Sequence, residues 1–344
     1  MWQESVKKPT GYIGCVLVFF GIKTMNFPLH YNGVTPDTPS VGWRTRFAPS
    51  PTGFLHLGHV AAALFGWRYA RAGGLWLVRL EDIDPQRCRP EFSTALLEDL
   101  AWLGLHSGAP VLRQSERMAE YGQTLAHLQA LGVLYPCFCT RSDIQRERAG
   151  MLSAPHAAPD GSVVYPGTCR HLPDAERLKR IEAGHPYVLR LDMARALEQV
   201  RQHGGAEAPL SYHDLERGSV ACAPELFGDV VLARRDVPAS YHLCVCHDDA
   251  AQGITLVTRG EDLRPATDLH RLLQVLMGWP TPAYCFHPLL CDAQGHRLAK
   301  RAGARSIRAM REEGLSPEAV RALAGMADMP PANAKESRVG PGAW

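Results

Sequence analysis

The sequence predicts an α/β fold in which a parallel sheet is split by an insertion. Three observations lead there. Residues 43–103 alternate short apolar runs with helix-periodic segments, the alternation resumes after about residue 226, and the stretch between is loop-rich with cysteines at 137, 139 and 169. Strand–helix–strand order in one sheet demands parallel strands joined by right-handed crossovers.

The elements follow in order. Trp43 to Ala48 reads as a strand ended by Pro49 and Pro51. From Leu57 a helix is expected, because Val60, Leu64, Trp67 and Ala70 recur at helical spacing, and Gly73-Gly74 stops it. Leu75 to Leu80 is an apolar strand running into Glu81-Asp82. Pro90 opens a second helix with Phe92, Leu96, Leu97, Leu100 and Leu103 on its inner face, and Ser115 to Leu131 reads as a third. Tyr135 to Cys169 reads as a loop-rich insert, and residues 170–225 as polar and irregular. Val230 to Ala233 and Tyr241 to Cys246 are expected as strands joined by a turn at Pro238. Ile254 to Thr258 reads as a strand, Thr267 to Met277 as a helix, and Ser316-Pro317-Glu318 as a helix start. The expected division is an extension or over-called start at 1–40, a first half-domain at 41–134, an insertion at 135–225, a second half-domain at 226–325 and a disordered tail at 326–344.

Composition narrows the classes. A hydrophobic fraction of 46% suffices for a core, and a net charge of +2 excludes an acidic or strongly basic binding tail. A near-neutral protein can still carry a basic groove for RNA. Ten cysteines in 344 residues do not make a small disulfide scaffold, so a reducing cytoplasm with a metal site is expected. Cys15, Cys88, Cys222, Cys244, Cys246, Cys285 and Cys291 are read as packing residues. The apolar run Tyr12–Ile22 follows Lys7-Lys8 but lacks a small-residue cleavage site and is too short to span a bilayer. No membrane partner is expected.

Four motifs carry chemistry. Arg46-Phe47-Ala48-Pro49-Ser50-Pro51-Thr52-Gly53 leads into His56-Leu57-Gly58-His59. Two histidines three apart at a strand-to-helix turn can point the same way, and the helix N-terminus adds N–H groups that suit a phosphate. Gly58 would let a flat base approach the backbone. Arg79-Leu80-Glu81-Asp82-Ile83-Asp84-Pro85 sets carboxylates at the end of a strand, where ligands bind in open α/β sheets. Cys137, Cys139 and Cys169 can close a tetrahedral zinc site with a fourth donor, for which Tyr165, His156 and His171 compete. Arg297-Leu298-Ala299-Lys300-Arg301 is a basic turn late in the chain.

RFAPSPTGFLHLGH is similar to the HIGH-motif region of glutamyl-tRNA synthetases and their shorter relatives, which are class I aminoacyl-tRNA synthetases. The resemblance runs from about Arg44 to about Gly325. It implies a Rossmann-type catalytic domain with a zinc-binding insertion and, with 44 residues after Lys300, no anticodon-binding domain. It implies ATP contacts at His56, Gly58, His59 and Lys300, with Mg²⁺ accompanying ATP, and catalytic roles for His56, His59 and Lys300. It implies glutamate contacts at Arg46, Ala48, Ser50, Glu81, Tyr241 and Arg259, within segments including Ser240-Tyr241-His242 through Asp248-Asp249 and Thr258-Arg259-Gly260-Glu261-Asp262-Leu263. Glu81 would meet the ammonium, and the arginines the carboxylates. Glutamyl-Q-type synthetases carry Cys-x-Cys then Tyr-x-x-x-Cys, which implies one structural zinc on Cys137, Cys139, Tyr165 and Cys169. The basic turn takes the place of the KMSKS loop, departing from it at Arg297 and Ala299 while keeping Lys300. The expected reaction is activation of L-glutamate and its transfer to queuosine in the anticodon of tRNA(Asp), by a monomer. The alternatives are a truncated enzyme charging a tRNA 3′ end and a non-catalytic tRNA-binding paralogue.

Overall fold

The structure, a computed structural model, describes residues 42–71, 73–149, 157–204, 209–234, 237–289 and 305–325. The expectations for residues 1–40 and 326–344, for Cys15, His156 and Cys291, and for the turn holding Arg297, Ala299 and Lys300 lie outside them.

Strand β1 (Arg44–Phe47) is followed by helix α1 (Leu57–Ala70) and strand β2 (Leu75–Leu80), and β1 pairs with β2 in parallel, Arg46 opposite Leu77. Helix α2 (Pro90–Trp102) crosses to the short strand β3 (Leu112–Arg113), also parallel to β2. Pro90 opens α2 where its missing N–H costs nothing. Leu96, Leu100 and Leu103 are buried as their spacing requires, while Phe92 and Leu97 are half-buried. A buried leucine of this kind contributes roughly 1.5–3 kcal/mol relative to exposure. Helix α3 (Met118–Ala130) begins after a 3₁₀ turn over Gln114–Glu116, three residues later than the sequence suggested.

The insertion is more regular than its polarity implied. It contains β4 (Leu134–Cys137), α4 (Arg141–Ala149), α5 (Asp174–Glu182), β5 (Val188–Leu191) and α6 (Met193–Gly204). A hairpin of β6 (Ser211–Asp214) and β7 (Gly218–Ala221) follows, turning at Gly218 with φ +73. The expectation of an irregular 170–225 is therefore corrected: α5 and α6 expose most of one face, so their sequences read as polar although they are helical. Strands β4 and β5, with β8 (Val231–Ala233), form a separate antiparallel sheet of order β4-β5-β8.

The second correction concerns Tyr241 to Cys246. It is not a strand but the start of helix α7 (Tyr241–Ala251), capped by Ser240, whose hydroxyl accepts from Leu243 N–H at 3.4 Å. Leu243, Cys244, Val245 and Cys246 are all buried. A helix buried on consecutive positions loses its polar face, and a short apolar run of that kind is ambiguous by periodicity alone.

Strand β9 (Leu256–Gly260), helix α8 (Ala266–Leu276) and strand β10 (Ala283–His287) restore the parallel pattern, β10 pairing with β9 and, on its other side, with β6. Strand β9 lies beside β1: Thr255 N–H donates to Arg44 O at 3.0 Å, and Arg44 N–H to Thr255 Oγ1 at 2.9 Å. The strand order is thus β3-β2-β1, then β9-β10-β6-β7. The chain leaves β1 in opposite directions to build the two halves, so a crevice opens at the carboxyl ends of β1 and β9. Short helices α9 (Ile307–Glu312) and α10 (Pro317–Leu323) close the described chain, capped by Ser306 and Ser316. Among the described residues no helix is long and apolar enough to cross a membrane.

Candidate active site at the sheet switch point

The crevice between β1 and β9 gathers the residues the motifs singled out. Arg46 sits one residue before the end of β1, Arg259 one before the end of β9, Glu81 just past β2, and Tyr241 at the first turn of α7. Glu81 N–H donates to Pro49 O at 3.0 Å, which ties the Ala48–Ser50 segment to the end of β2. Ala48 is half-buried and Ser50 exposed at the rim. Tyr241 confirms the convergence. Burial pushes its hydroxyl up to about 12, Glu81 and Asp249 add to the rise, and Arg259 and Arg46 oppose it.

The two arginines differ in one respect that sequence reasoning missed. Arg46 donates from Nε and Nη2 to the two carboxylate oxygens of Asp249 at 2.9 and 3.3 Å, and from Nη1 to Thr258 O at 3.0 Å. Asp249 also pairs with Arg79, which is wholly buried. Burial alone would raise the Asp249 carboxyl, but Arg46 and Arg79 outweigh it and hold the group below the usual carboxylate range. Asp249 is thus shared between two guanidinium groups, Arg46 and Arg79. Among the described residues Arg259 makes no ion pair. It contacts His270 Nδ1 at 3.0 Å and Thr267 Oγ1, and its buried Nε has no partner among them. Glu81, half-buried, makes no side-chain hydrogen bond among the described residues.

His56 and His59 form a reciprocal cap on α1. His56 Nδ1 accepts from Gly58 N–H at 3.1 Å, and His59 Nδ1 accepts from His56 N–H at 3.2 Å. The ring centroids are 3.8 Å apart. With both Nδ1 atoms used as acceptors, each neutral ring carries its proton on Nε2. The cap also anchors a later segment: His56 bridges Ser306, and Ile307 N–H donates to Leu55 O at 2.8 Å.

The cysteines of the insertion meet as well. The sulfurs of Cys137, Cys139 and Cys169 lie within 4.8 Å of one another. Cys139 Sγ is 3.4 Å from Cys169 Sγ and 3.3 Å from the Tyr165 hydroxyl, which accepts from Cys169 N–H at 2.9 Å. A tetrahedral ion with metal–sulfur bonds of ~2.3 Å separates its sulfurs by about 3.8 Å, so this donor set fits a zinc-sized ion. A hydrogen bond from Cys137 pushes the Cys169 thiol below the ordinary range, burial opposing it. His171 is exposed in the neighbouring 3₁₀ turn and is not one of the grouped donors. A cleft of about 290 Å³ beside Cys139 and Cys169 gives an ion access to them. Of the cysteines read as packing residues, Cys244, Cys246 and Cys285 are buried, and Cys88 and Cys222 half-buried.

Fold and site together define a class. The family profile "tRNA synthetases class I (E and Q), catalytic domain" matches residues 43–338. The chain belongs to that family and is an aminoacyl-tRNA synthetase-like ligase. Within it, the chain is 46% identical over 283 residues to the glutamyl-Q tRNA(Asp) synthetase of Rhodobacter capsulatus, a match covering 82% of this chain and 99% of that one. It is 38% identical over 280 residues to the glutamate–tRNA ligase of Aquifex aeolicus, covering 80% of this chain and 55% of the ligase. A crystal structure of a glutamate tRNA ligase from Elizabethkingia meningosepticum, in complex with its amino acid, superposes with a TM-score of 0.65 at 29% identity, covering 83% of this chain and 60% of the other. The chain thus spans little more than half the length of these two ligases.

Proposed function

We propose that this chain activates L-glutamate with ATP to glutamyl-adenylate and transfers the glutamate to queuosine in the anticodon of tRNA(Asp). The observation that carries the activation step is that Arg259, a buried guanidinium with no ion pair among the described residues, and Glu81, a carboxyl with no side-chain hydrogen bond among them, both lie beside Tyr241. An amino acid with an extra carboxylate supplies what both lack. Its ammonium answers Glu81 and its side-chain carboxylate answers Arg259.

In the first step the α-carboxylate oxygen attacks the α-phosphorus of ATP, and the bond to the β-phosphate oxygen breaks to release pyrophosphate. No group of the protein is covalently attached. The Nε2–H groups of His56 and His59 suit the phosphate oxygens, and Gly58 leaves room for the nucleotide beside the cap. Lys300 stands six residues before Ser306, the residue bridged to His56, which supports its reaching the same phosphates. Mg²⁺ bound with ATP supplies further charge neutralisation. Arg46, oriented by Asp249, meets the other carboxylate of the glutamate, with Ala48 and Ser50 at the same rim. In the second step a queuosine hydroxyl attacks the adenylate carbonyl, an ester forms, and AMP leaves. Zinc on Cys137, Cys139, Tyr165 and Cys169 cross-links the insertion and takes no part in the steps.

The choice of acceptor is supported by likeness to the Rhodobacter relative along nearly its whole length. The second reading is charging of a tRNA 3′ end, which the Aquifex ligase's name favours. Acylation of tRNA from cells able and unable to make queuosine separates them. Labelled glutamate entering only the queuosine-containing pool, and released by nuclease digestion within the anticodon fragment, is expected. Equal incorporation into both pools, with label on the terminal adenosine, supports the 3′ end instead.

A further inference from the structure

Arg259 and Arg46 stand on neighbouring strands, yet one is backed by an acid and the other by an imidazole. Arg259 Nη1 donates to His270 Nδ1 at 3.0 Å, Nη2 donates to Thr267 Oγ1, and the rings of Tyr284 and Phe286 flank the guanidinium at 5.4 and 5.6 Å. A guanidinium can only donate. His270 Nδ1 must therefore accept, which leaves the His270 proton on Nε2. That atom lies 3.1 Å from His242 Nδ1, so His242 accepts in turn and carries its own proton on Nε2. The two tautomers are dictated by Arg259, and neither ring has room for a second proton on its accepting face. Burial, then the charge of Arg259, the neighbouring His242 and Arg46 push His270 well below its ordinary value. Burial brings His242 down to about 4, with Asp160 opposing and Arg259 assisting. Tyr241 covers the pair, its ring centroid 5.4 Å from that of His242 and 5.7 Å from that of His270.

As a hydrogen-bond acceptor, a carboxylate at residue 270 would serve Arg259 as well as an imidazole does. The difference is charge. A guanidinium with a carboxylate of its own has little net attraction for a second one. A guanidinium held by a neutral acceptor keeps its whole charge in a water-poor site, where that charge acts strongly. Asp268 feels Arg259 only weakly, and its carboxylate accepts from Ala223 N–H at 3.0 Å.

We propose that His270 is a specificity-determining positioning residue: as a neutral acceptor, itself oriented by His242, it aims Arg259 without neutralising it, and so sets the preference for an acidic amino acid over its amide. This rests on the glutamate reading given above.

The test uses two variants of nearly equal shape. In His270→Asn the amide oxygen replaces Nδ1 as a neutral acceptor, and in His270→Asp a carboxylate does. ATP–pyrophosphate exchange is measured with L-glutamate and with L-glutamine, the wild-type protein serving as control. Expected is a His270→Asn enzyme whose KM for glutamate stays within about threefold of wild type. His270→Asp should raise the glutamate KM roughly tenfold or more, leave the ATP KM within about twofold, and move the glutamate-to-glutamine ratio of kcat/KM roughly tenfold toward glutamine. Thr267→Asp offers a carboxylate to the same guanidinium from its other side and should shift the ratio the same way, which keeps the test open if His270→Asp does not fold by thermal melting. Equal losses in the Asn and Asp variants, or a folded Asp variant with an unchanged ratio, overturn the inference and leave the glutamate reading standing. A wild-type protein that exchanges with neither amino acid overturns both.

Discussion

Burial pushes the Glu81 carboxyl up to about 7, against the pull of Arg79 and Arg46 and with help from Asp249 and Asp248. Without a ligand it is therefore half-protonated near neutrality. A raised carboxyl pKa favours the folded, unliganded state at low pH, and that contribution is lost as pH rises from the unfolded value through about 7. A bound ammonium reverses the balance by favouring the ionised form, so binding expels a proton. Glutamate affinity should accordingly rise as pH increases toward 7, by up to about tenfold per unit, and level off above it. Calorimetry of glutamate binding in buffers of different ionisation enthalpy would show the proton release, and Glu81→Gln should abolish it. A pH-independent affinity would detach Glu81 from the ammonium. At this scale the sequence announced most of the site, because His56, His59, Glu81, Tyr241 and Arg259 lie in short motifs with their own chemistry. Asp249 showed only as an acid in an apolar run. Its partner Arg46 is 203 residues away, and no local pattern encodes such a pairing.

Helix α1 crosses close over β1 and β9 because Gly66 has no side chain. A Cβ there would stand 2.7 Å from Thr258 Oγ1 and 3.5 Å from Trp76 Nε1, and Thr45 Oγ1 donates to the Gly66 carbonyl at 3.0 Å. Gly66→Ala would therefore lose stability by about 1–3 kcal/mol, although alanine is the better helix former, because a stiff, packed threonine must move. Urea melts would read this, and a stabilised variant would mean the helix can lift away freely. The insertion behaves differently. Its cluster around the thiols consists of Tyr135, Cys137, Tyr165 and Cys169, a small core that gains from a metal cross-link. Freshly purified protein should contain one zinc per chain, and Cys169→Ser should lose it and make the insertion easier to cleave by protease. Metal analysis finding no zinc in unchelated protein would refute the site. Strands β1, β2 and β9 and the helices that follow them were legible because apolar runs and helical periods alternate cleanly, whereas β3 and β10 were not read as strands. Helix α7 was not, since burial at Leu243 through Cys246 erases the period that separates helix from strand.

For the whole molecule, the strand order places β1 and β9 side by side although they are separated by most of the chain. The sequence implied two parallel segments around an insertion, but it did not show that their first strands are neighbours. That adjacency comes from a few long-range contacts, such as Thr255 to Arg44 and Arg46 to Thr258, and it creates the crevice where Arg259 and Glu81 converge on Tyr241. The β6–β7 hairpin was equally hidden: it returns from the end of the insertion to extend the main sheet beside β10. Arg259, Glu81 and Tyr241 meet around one crevice within this chain, and no nucleic acid is needed to bring them together. The most direct measurement is ATP–pyrophosphate exchange by the purified chain with L-glutamate and no tRNA. Exchange that depends on glutamate, is much weaker with glutamine or aspartate, and is lost in Arg259→Leu is expected. Exchange that appears only when tRNA is added, or that does not depend on glutamate, would overturn the proposed activation step.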